Sequence, residues 1–438
     1  MKTRFERLVV CTMILVLSAL IARNRFSPSG SNSNTNDSSG IVFEASPRSS
    51  SHPMPESSHT NAGIDVITTP SESLDRAEIR VSLTNLPVRS FNFRCEGPIT
   101  IVAVRSGQTL QETLRWEACS VTAGEAGLSL GSLGLKEDAV ELIPGSSPAL
   151  WIDDAQYRGR LRIYRSGKDR IRIVNVLTLE DYLASVVDSE MPTAFGREAR
   201  KAQCIASRTY ALYQMRQRAS HPQFDLFASE QSQKYLGTKY RNSRGKLWAG
   251  ESPDSREVVR QTAGLVCTFE GELFCTYFSS TCGGRTNCGT DMFSDAATPL
   301  CGVDCEWCRD SPQYRWTRTL QPSDRVTLST IGDSRSLLEA RPIDRILLSN
   351  ATQDTELSAN EIRENILPNR LLSPMFIVST SDDQTLISGR GHGHGVGMCQ
   401  WGARGLAETG RSAIEILSHY YPGCEVVRWA TDEFDEPR

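Results

Sequence analysis

The 438-residue sequence lacks a dominant basic stripe: 48 Lys and Arg stand against 52 Asp and Glu, for a net charge of -4. That balance gives no footprint of a general nucleic-acid binder, and no nucleic acid is expected as a partner. There is no internal repeat. There is no Walker motif and no GxGxxG, so a nucleotide-binding reading has little support. No cysteine closes the first apolar run, where a bacterial lipoprotein would need one. The length allows two or three domains, or one large domain with insertions. Hydrophobic residues make up 39%, enough for a real core outside the linker.

At the N-terminus, Lys2, Arg4 and Arg7 precede the apolar run Leu8 to Ala22, and Arg23 and Arg25 follow it. The run is about 15 residues long, short for a membrane span and typical of a signal segment. Ala22 suits the end of a cleavable signal, but Leu20, two before it, does not. Residues 1–26 are therefore read as a signal anchor, with a cleaved signal peptide as the alternative. The body is expected outside the cytoplasm, held to the membrane or secreted. Residues 27–76, rich in Ser, Asn and Pro without apolar periodicity, read as a flexible tether.

Folded structure is expected from Ala77. Ile79, Val81 and Leu83 alternate with polar residues as in a half-buried strand. Gly167-Lys-Asp reads as the turn of a hairpin between Leu161-Arg-Ile-Tyr and Ile171-Arg-Ile-Val. Residues 78–177 look mostly β. Thr178 and Asp181 then resemble a capping box, and Leu179, Tyr182, Leu183, Val186 and Val187 share one helical face. Pro192 ends that helix, leaving Glu190 in its last turn. A second helix is expected over about 197–218, strands over 269–279 and 376–388, and a capped helix over Ala413 to Tyr420. The fold class is α+β: a β-rich N-terminal part, a helical cluster around the site groove, and a Cys-rich loop.

The chemistry centres on one carboxyl. A single carboxyl can serve several reactions; in one of them, glycosidic cleavage, it puts a proton on the leaving oxygen as an oxocarbenium-like transition state develops. Glu190 can supply that proton if burial raises its pKa, and Met191-Pro192 beside it offers an apolar neighbourhood. Lys201, Cys204 and Arg208 fall at i, i+3 and i+7 on the second helix, so a cationic stripe there suits an anionic sugar substituent. The same cations would lower the pKa of Glu190 if they stood close to it. The plainer alternative is a solvated glutamate beside a wet helix face.

The segment LEDYLASVVDSEMP followed by EARKAQCIASRTYAL (179–212) is more specific than that alternative allows. With Gly389 to Gly402, GRGHGHGVGMCQWG, it resembles the SpoIID/LytB family of proteins acting on bacterial cell-wall glycan. Phe224-Asp-Leu, Gln233-Lys-Tyr-Leu-Gly and Phe278-Ser-Ser-Thr-Cys-Gly-Gly-Arg-Thr extend the likeness over roughly Ala77 to Gly423. Residues 77–425 are accordingly read as the catalytic domain and 426–438 as a tail.

The resemblance implies a lytic transglycosylase that cuts peptide-free peptidoglycan strands with Glu190 as general acid and base. The product is a 1,6-anhydro sugar, so no water nucleophile is needed. Lys201, Arg208 and Tyr210 match the motif's other polar positions and are expected to bind substrate. A non-catalytic module that stimulates a cell-wall amidase is the alternative, as is a muramidase hydrolysing the same bond. Cys399 stands where the family commonly has Ser.

Alternating glycines over 389–397 leave one side of an extended segment bare, so a sugar or another backbone can approach. His392 and His394 would point the same way in such a segment. His394, Gln400 and Trp401 are expected to contact substrate, with a tight packing turn as the alternative. Two histidines alone make a poor metal site.

The cysteine count is 13, so at least one thiol has no partner within the chain. Six of them crowd into 275–308. Cys301-x-x-x-Cys305-x-x-Cys308 has ligand-like spacing, and Cys282-Gly-Gly is a plausible knuckle. Cys282, Cys288, Cys305 and Cys308 are the expected ligands of a structural Zn²⁺, the resemblance pointing to Cys282 and Cys288. Disulfides are the alternative, since export permits them. The chemistry itself requires no cofactor.

Overall fold

The computed structural model describes residues 77–429, apart from 147, 321–326, 332–335, 350–353 and 382–383. The expected anchor and tether lie outside the described residues. Among the described residues, no helix is long and apolar enough to cross a membrane.

The N-terminal part is β-rich, as its alternating pattern predicts. Glu78–Ser82 pairs antiparallel with Ile171–Thr178, which pairs in turn with Arg160–Arg165 across the expected hairpin. These strands belong to a seven-stranded sheet, and an eight-stranded sheet includes Ser90–Cys95 and Trp116–Gly124. Buried residues of both sheets, among them Ile79, Phe93, Val121, Ile163 and Ile173, join one hydrophobic core.

Helix α1 (Leu179–Glu190) grows out of the last strand of that hairpin. The Thr178 side chain accepts the Asp181 N–H at 3.2 Å, which starts the helix. Leu179, Tyr182, Leu183, Val186 and Val187 are all buried. Glu190 is the last helical residue, and Met191 turns the chain into Pro192. Helix α2 (Arg197–Gln217) follows and packs against α1, against α3 (Pro253–Gln261), and against α4 (Gln400–Glu408) and α5 (Ala413–Tyr420). It is buried on most sides, which makes it the axis of the helical cluster.

Three expectations need correction. The strand expected over 269–279 is broken, because Glu270 and Gly271 adopt φ of 53° and 83° and turn Leu265–Phe269 back onto Glu272–Leu273. The strand expected over 376–388 is a hairpin of Phe376–Ser381 with Gln384–Arg390. The folded body also runs past 425: Glu425–Arg428 pairs antiparallel with Leu265–Thr268, so the boundary at 426 falls inside a strand. Residues between 315 and 390 carry a core of their own, built on Trp316, Leu348, Phe376 and Ile387.

Candidate active site

Glu190 is held at the end of α1 by groups that come from far along the chain. One carboxylate oxygen accepts the Lys234 backbone N–H at 2.7 Å, and the other accepts the Gln400 amide at 3.3 Å. The same Gln400 amide nitrogen reaches Gln203 Oε1 at 3.3 Å, and Gln203 donates to Ser207 Oγ at 3.0 Å. A chain of neutral amides and a hydroxyl therefore links the carboxylate to the interior of α2.

The loop carrying Lys234 is strapped along α1. Tyr182 donates to Gln233 Oε1 at 3.0 Å, and the Leu236 N–H donates to Ser185 Oγ at 3.3 Å. Tyr235 donates to Asn175 at 2.8 Å, fixing the strap to the sheet. Tyr182 and Ser185, three residues apart on one face of α1, seat this loop beside Glu190.

Burial raises the pKa of Glu190 above the ordinary carboxylate value. The Lys234 N–H, the Gln400 amide and the Lys234 charge oppose the rise, and the Glu230 carboxylate adds to it. Burial outweighs its opponents. The cation acting on Glu190 is thus Lys234, which the sequence pattern did not pair with it.

Lys201 and Arg208 do not form a cationic stripe facing the carboxyl. Arg208 is fully buried, and its guanidinium grips both oxygens of Glu180 at 2.7 and 2.8 Å and the Leu265 carbonyl at 3.1 Å. It has no free face for a sugar, so the expected substrate contact is corrected to a structural strut. Tyr210 is likewise buried, edge-on to Tyr277 with centroids 6.1 Å apart. Its expected substrate role is corrected to core packing. Lys201 pairs with Glu198 at 2.8 Å on a partly exposed face.

The glycine-rich segment is not extended. Gly391, Gly393, Gly395 and Gly397 all have positive φ, from 69° to 93°. A Cβ on Gly397 would lie 1.9 Å from the Tyr277 carbonyl oxygen, so glycine is needed for the close approach. The histidines consequently part company. His392 is exposed, whereas His394 wedges against the rings of Phe293 and Tyr277, and its Nδ1 accepts the Val396 N–H at 3.1 Å. Burial pulls the His394 pKa down to about 4, so the ring is neutral at pH 7. Trp401 meets Phe195 edge-on at 5.0 Å and carries Arg404 over its face.

Two further residues stand at the rim. Glu230 is exposed and acts electrostatically on Glu190, Arg363 and His392. Arg363 lies on the π-helical turn Ile362–Ile366, and its buried Nε has no partner among the described residues. Neither was singled out in the sequence, because both belong to segments without a motif.

The thiols divide. Sγ atoms of Cys282, Cys305, Cys308 and Cys399 all lie within 4.8 Å of one another, and all four residues are buried. This set has a composition suited to a metal ion. Cys288 is not in it: its thiol sits 3.1 Å from Thr290 Oγ1, so the expected grouping is corrected, and the fourth clustered thiol is Cys399.

The family model described as SpoIID, stage II sporulation protein, matches residues 167–269, the stretch that contains α1, α2 and the Lys234 strap. The chain is 27% identical over 322 residues to stage II sporulation protein D of Bacillus subtilis (strain 168), covering 69% of this chain and 87% of the relative. The family-model match and the relatives named stage II sporulation protein D support the SpoIID family for this chain. An uncharacterized protein of Brachyspira hyodysenteriae is 28% identical over 355 residues, 80% of this chain and 92% of its own. The amidase enhancer of Bacillus subtilis is 27% identical over 299 residues, 55% of this chain and 39% of that relative. The SpoIID match thus falls on the elements that carry Glu190 and its Lys234 donor, while Gln400 comes from beyond the matched stretch.

Proposed function

We propose that this SpoIID-family protein is a peptidoglycan lytic transglycosylase with Glu190 as its general acid and base, working in the bacterial cell envelope. The observation that carries the reading is a half-buried carboxyl whose pKa is raised by burial and which is held by two neutral N–H donors. A raised pKa lets the carboxyl keep its proton to higher pH than an ordinary glutamate, and the two donors fix the orientation of the group. Glu190 protonates the glycosidic oxygen as the bond to the muramyl C1 breaks. The carboxylate so formed then takes the proton from the C6 hydroxyl of the same sugar as its oxygen attacks C1. The nucleophile belongs to the substrate, which gives it a high effective concentration. Arg363 is the rim cation suited to an anionic substituent of the sugar, a role that Arg208 is too buried to play.

The amidase-enhancer relative favours a second reading, a glycan-binding partner of a cell-wall amidase. Mass spectrometry of peptide-free glycan strands incubated with the protein separates the two. Products ending in 1,6-anhydro-muramic acid support the proposal. Products heavier by one water mean a muramidase, for which Glu230 is the second carboxylate at hand. Intact strands with a folded protein favour the enhancer reading.

A further inference from the structure

We propose that Cys282, Cys305, Cys308 and Cys399 form a closed tetrathiolate site for one Zn²⁺, and that this site fixes the start of α4 so that Gln400 stays on Glu190. The proposal does not rest on glycan cleavage, since the metal is read without substrate.

Four observations carry it. First, the thiols are spaced for the ion. Zn–S bonds of about 2.3 Å in a tetrahedron place sulfurs about 3.8 Å apart, and Cys282 and Cys308 Sγ are 3.7 Å apart. Second, backbone donors point at sulfur as they do at thiolates. Cys399 Sγ receives the Cys282 N–H at 3.3 Å and the Gly402 N–H at 3.4 Å, and Cys399 caps the N-terminus of nine-residue α4. Tyr420 Oη lies 3.2 Å from Cys305 Sγ.

Third, the packing leaves no slack. A Cβ on Gly402 would lie 2.0 Å from Tyr420 Oη and 2.6 Å from Cys305 Sγ, so only glycine lets α4 reach the cluster. Fourth, a cation is buried beside it. Arg390 is 2% exposed, and its described partners are all neutral oxygens: the carbonyls of Cys282, Arg285, Leu337 and Ala340, and the Asn287 amide oxygen. A buried guanidinium without a carboxylate is costly. Binding Zn²⁺ releases four thiol protons to solvent and leaves a centre of net charge −2, which Arg390 faces through the Cys282 carbonyl.

The link to the carboxyl is short. Cys399 and Gln400 are consecutive, and Gln400 donates to Glu190. Phe278–Ser279 pairs parallel with Met398–Cys399, and Trp401 N–H donates to the Ser280 carbonyl at 3.1 Å, so two chain segments converge on one anchor.

The test is elemental analysis and Co²⁺ replacement on the full chain. The expected result is one zinc per chain and a cobalt spectrum with strong thiolate charge-transfer and tetrahedral d–d bands. Cys399→Ser should weaken the metal by at least about 10-fold, the lower end of what losing even an outer-shell partner costs. Cys288→Ser should leave metal affinity unchanged. Removing zinc should raise amide hydrogen exchange over 399–402 while strand 171–178 keeps its protection. A metal-free chain lighter by two hydrogens per bridged cysteine pair would overturn the site. So would retention by Cys399→Ser with loss in Cys288→Ser. If Cys399→Ser does not fold, the cobalt charge-transfer intensity of the unsubstituted chain decides: four thiolates support the site and two or fewer sink it. A uniform rise in exchange would overturn the positioning role.

Discussion

The carboxyl site and the thiol cluster sit at opposite ends of the same two residues, Cys399 and Gln400, and they treat a potential anion differently. Glu190 receives neutral donors and a cationic influence from Lys234, and burial outweighs them and raises its pKa. The thiols receive backbone N–H groups and a buried arginine that has no carboxylate among its described partners. The first arrangement favours a neutral acid. The second favours negative charge. What separates them is the supply of cations and donors around each, and a residue's type alone does not reveal that supply.

The largest expected break of this contrast is Glu190→Gln. The amide keeps the shape of the side chain and removes the transferable proton. Glycan cleavage should fall by roughly 10²–10⁴-fold, the usual contribution of general acid–base catalysis. Strand binding should persist, as measured by co-sedimentation with glycan. Cleavage at the original rate would reassign the acid, and Glu230 would be examined next.

The next effect is on stability. Arg208→Met removes a buried guanidinium from the Glu180 carboxylate and leaves that anion in the interior. Breaking a buried pair from one side costs about 3–5 kcal/mol. Denaturant unfolding should show that loss. An unchanged midpoint together with weaker glycan binding would restore Arg208 to the substrate-contact role that its helix position suggested.

A smaller effect is the pH dependence of the Glu190 carboxyl. Its folded pKa lies above the unfolded carboxylate value, so the folded state holds the extra proton. Its contribution to stability is full below the unfolded pKa, about 4.3, and is lost as pH rises through the folded value. Glu190→Gln has no such titration. Thermal midpoints of the two proteins should therefore converge at low pH and separate above the ordinary carboxylate range, with the variant the more stable. Activity of the unsubstituted protein should fall over the same rise in pH. A gap of opposite sign above the carboxylate range, with the variant the less stable, would mean that the pKa is lowered and that the Lys234 and Gln400 donors and the Lys234 charge outweigh burial.

The helices were legible because their signals are local. Leu179, Tyr182, Leu183, Val186 and Val187 fix a face, Thr178 and Pro192 fix the ends, and the structure follows them. Glu190 was legible from its motif. Gln400 and the run around Lys234 were singled out, but their hydrogen bonds to Glu190 were not legible, because Lys234 is 44 residues away and Gln400 is 210 away. Helical spacing put Lys201 and Arg208 on one side of α2, but spacing does not distinguish a wet face from one covered by a later strand. The Leu265 carbonyl covers Arg208. Ligand spacing likewise gathered Cys305 and Cys308 but reached for Cys288, the thiol near in sequence. Cys399 is brought in by strand pairing with Phe278–Ser279, which no spacing rule contains. The alternating glycines were visible, yet their positive φ turned an expected ribbon into a zigzag that separates His392 from His394.

Lys201→Ala gives the smallest expected change and the sharpest reading of the exposed side of α2. Lys201 pairs with Glu198 on a partly exposed face, and Glu198 also accepts the Ala413 N–H at 2.9 Å. An exposed pair of this kind contributes about 0.2–1 kcal/mol. The carboxylate keeps its backbone partner at the start of α5 after the lysine is removed, so the midpoint should move little. If the anionic sugar contact is made by Arg363, glycan affinity should also stay level in Lys201→Ala and drop in Arg363→Ala. Affinity lost with Lys201 and kept without Arg363 would move the cationic rim to α2, on the side that the helical spacing first indicated.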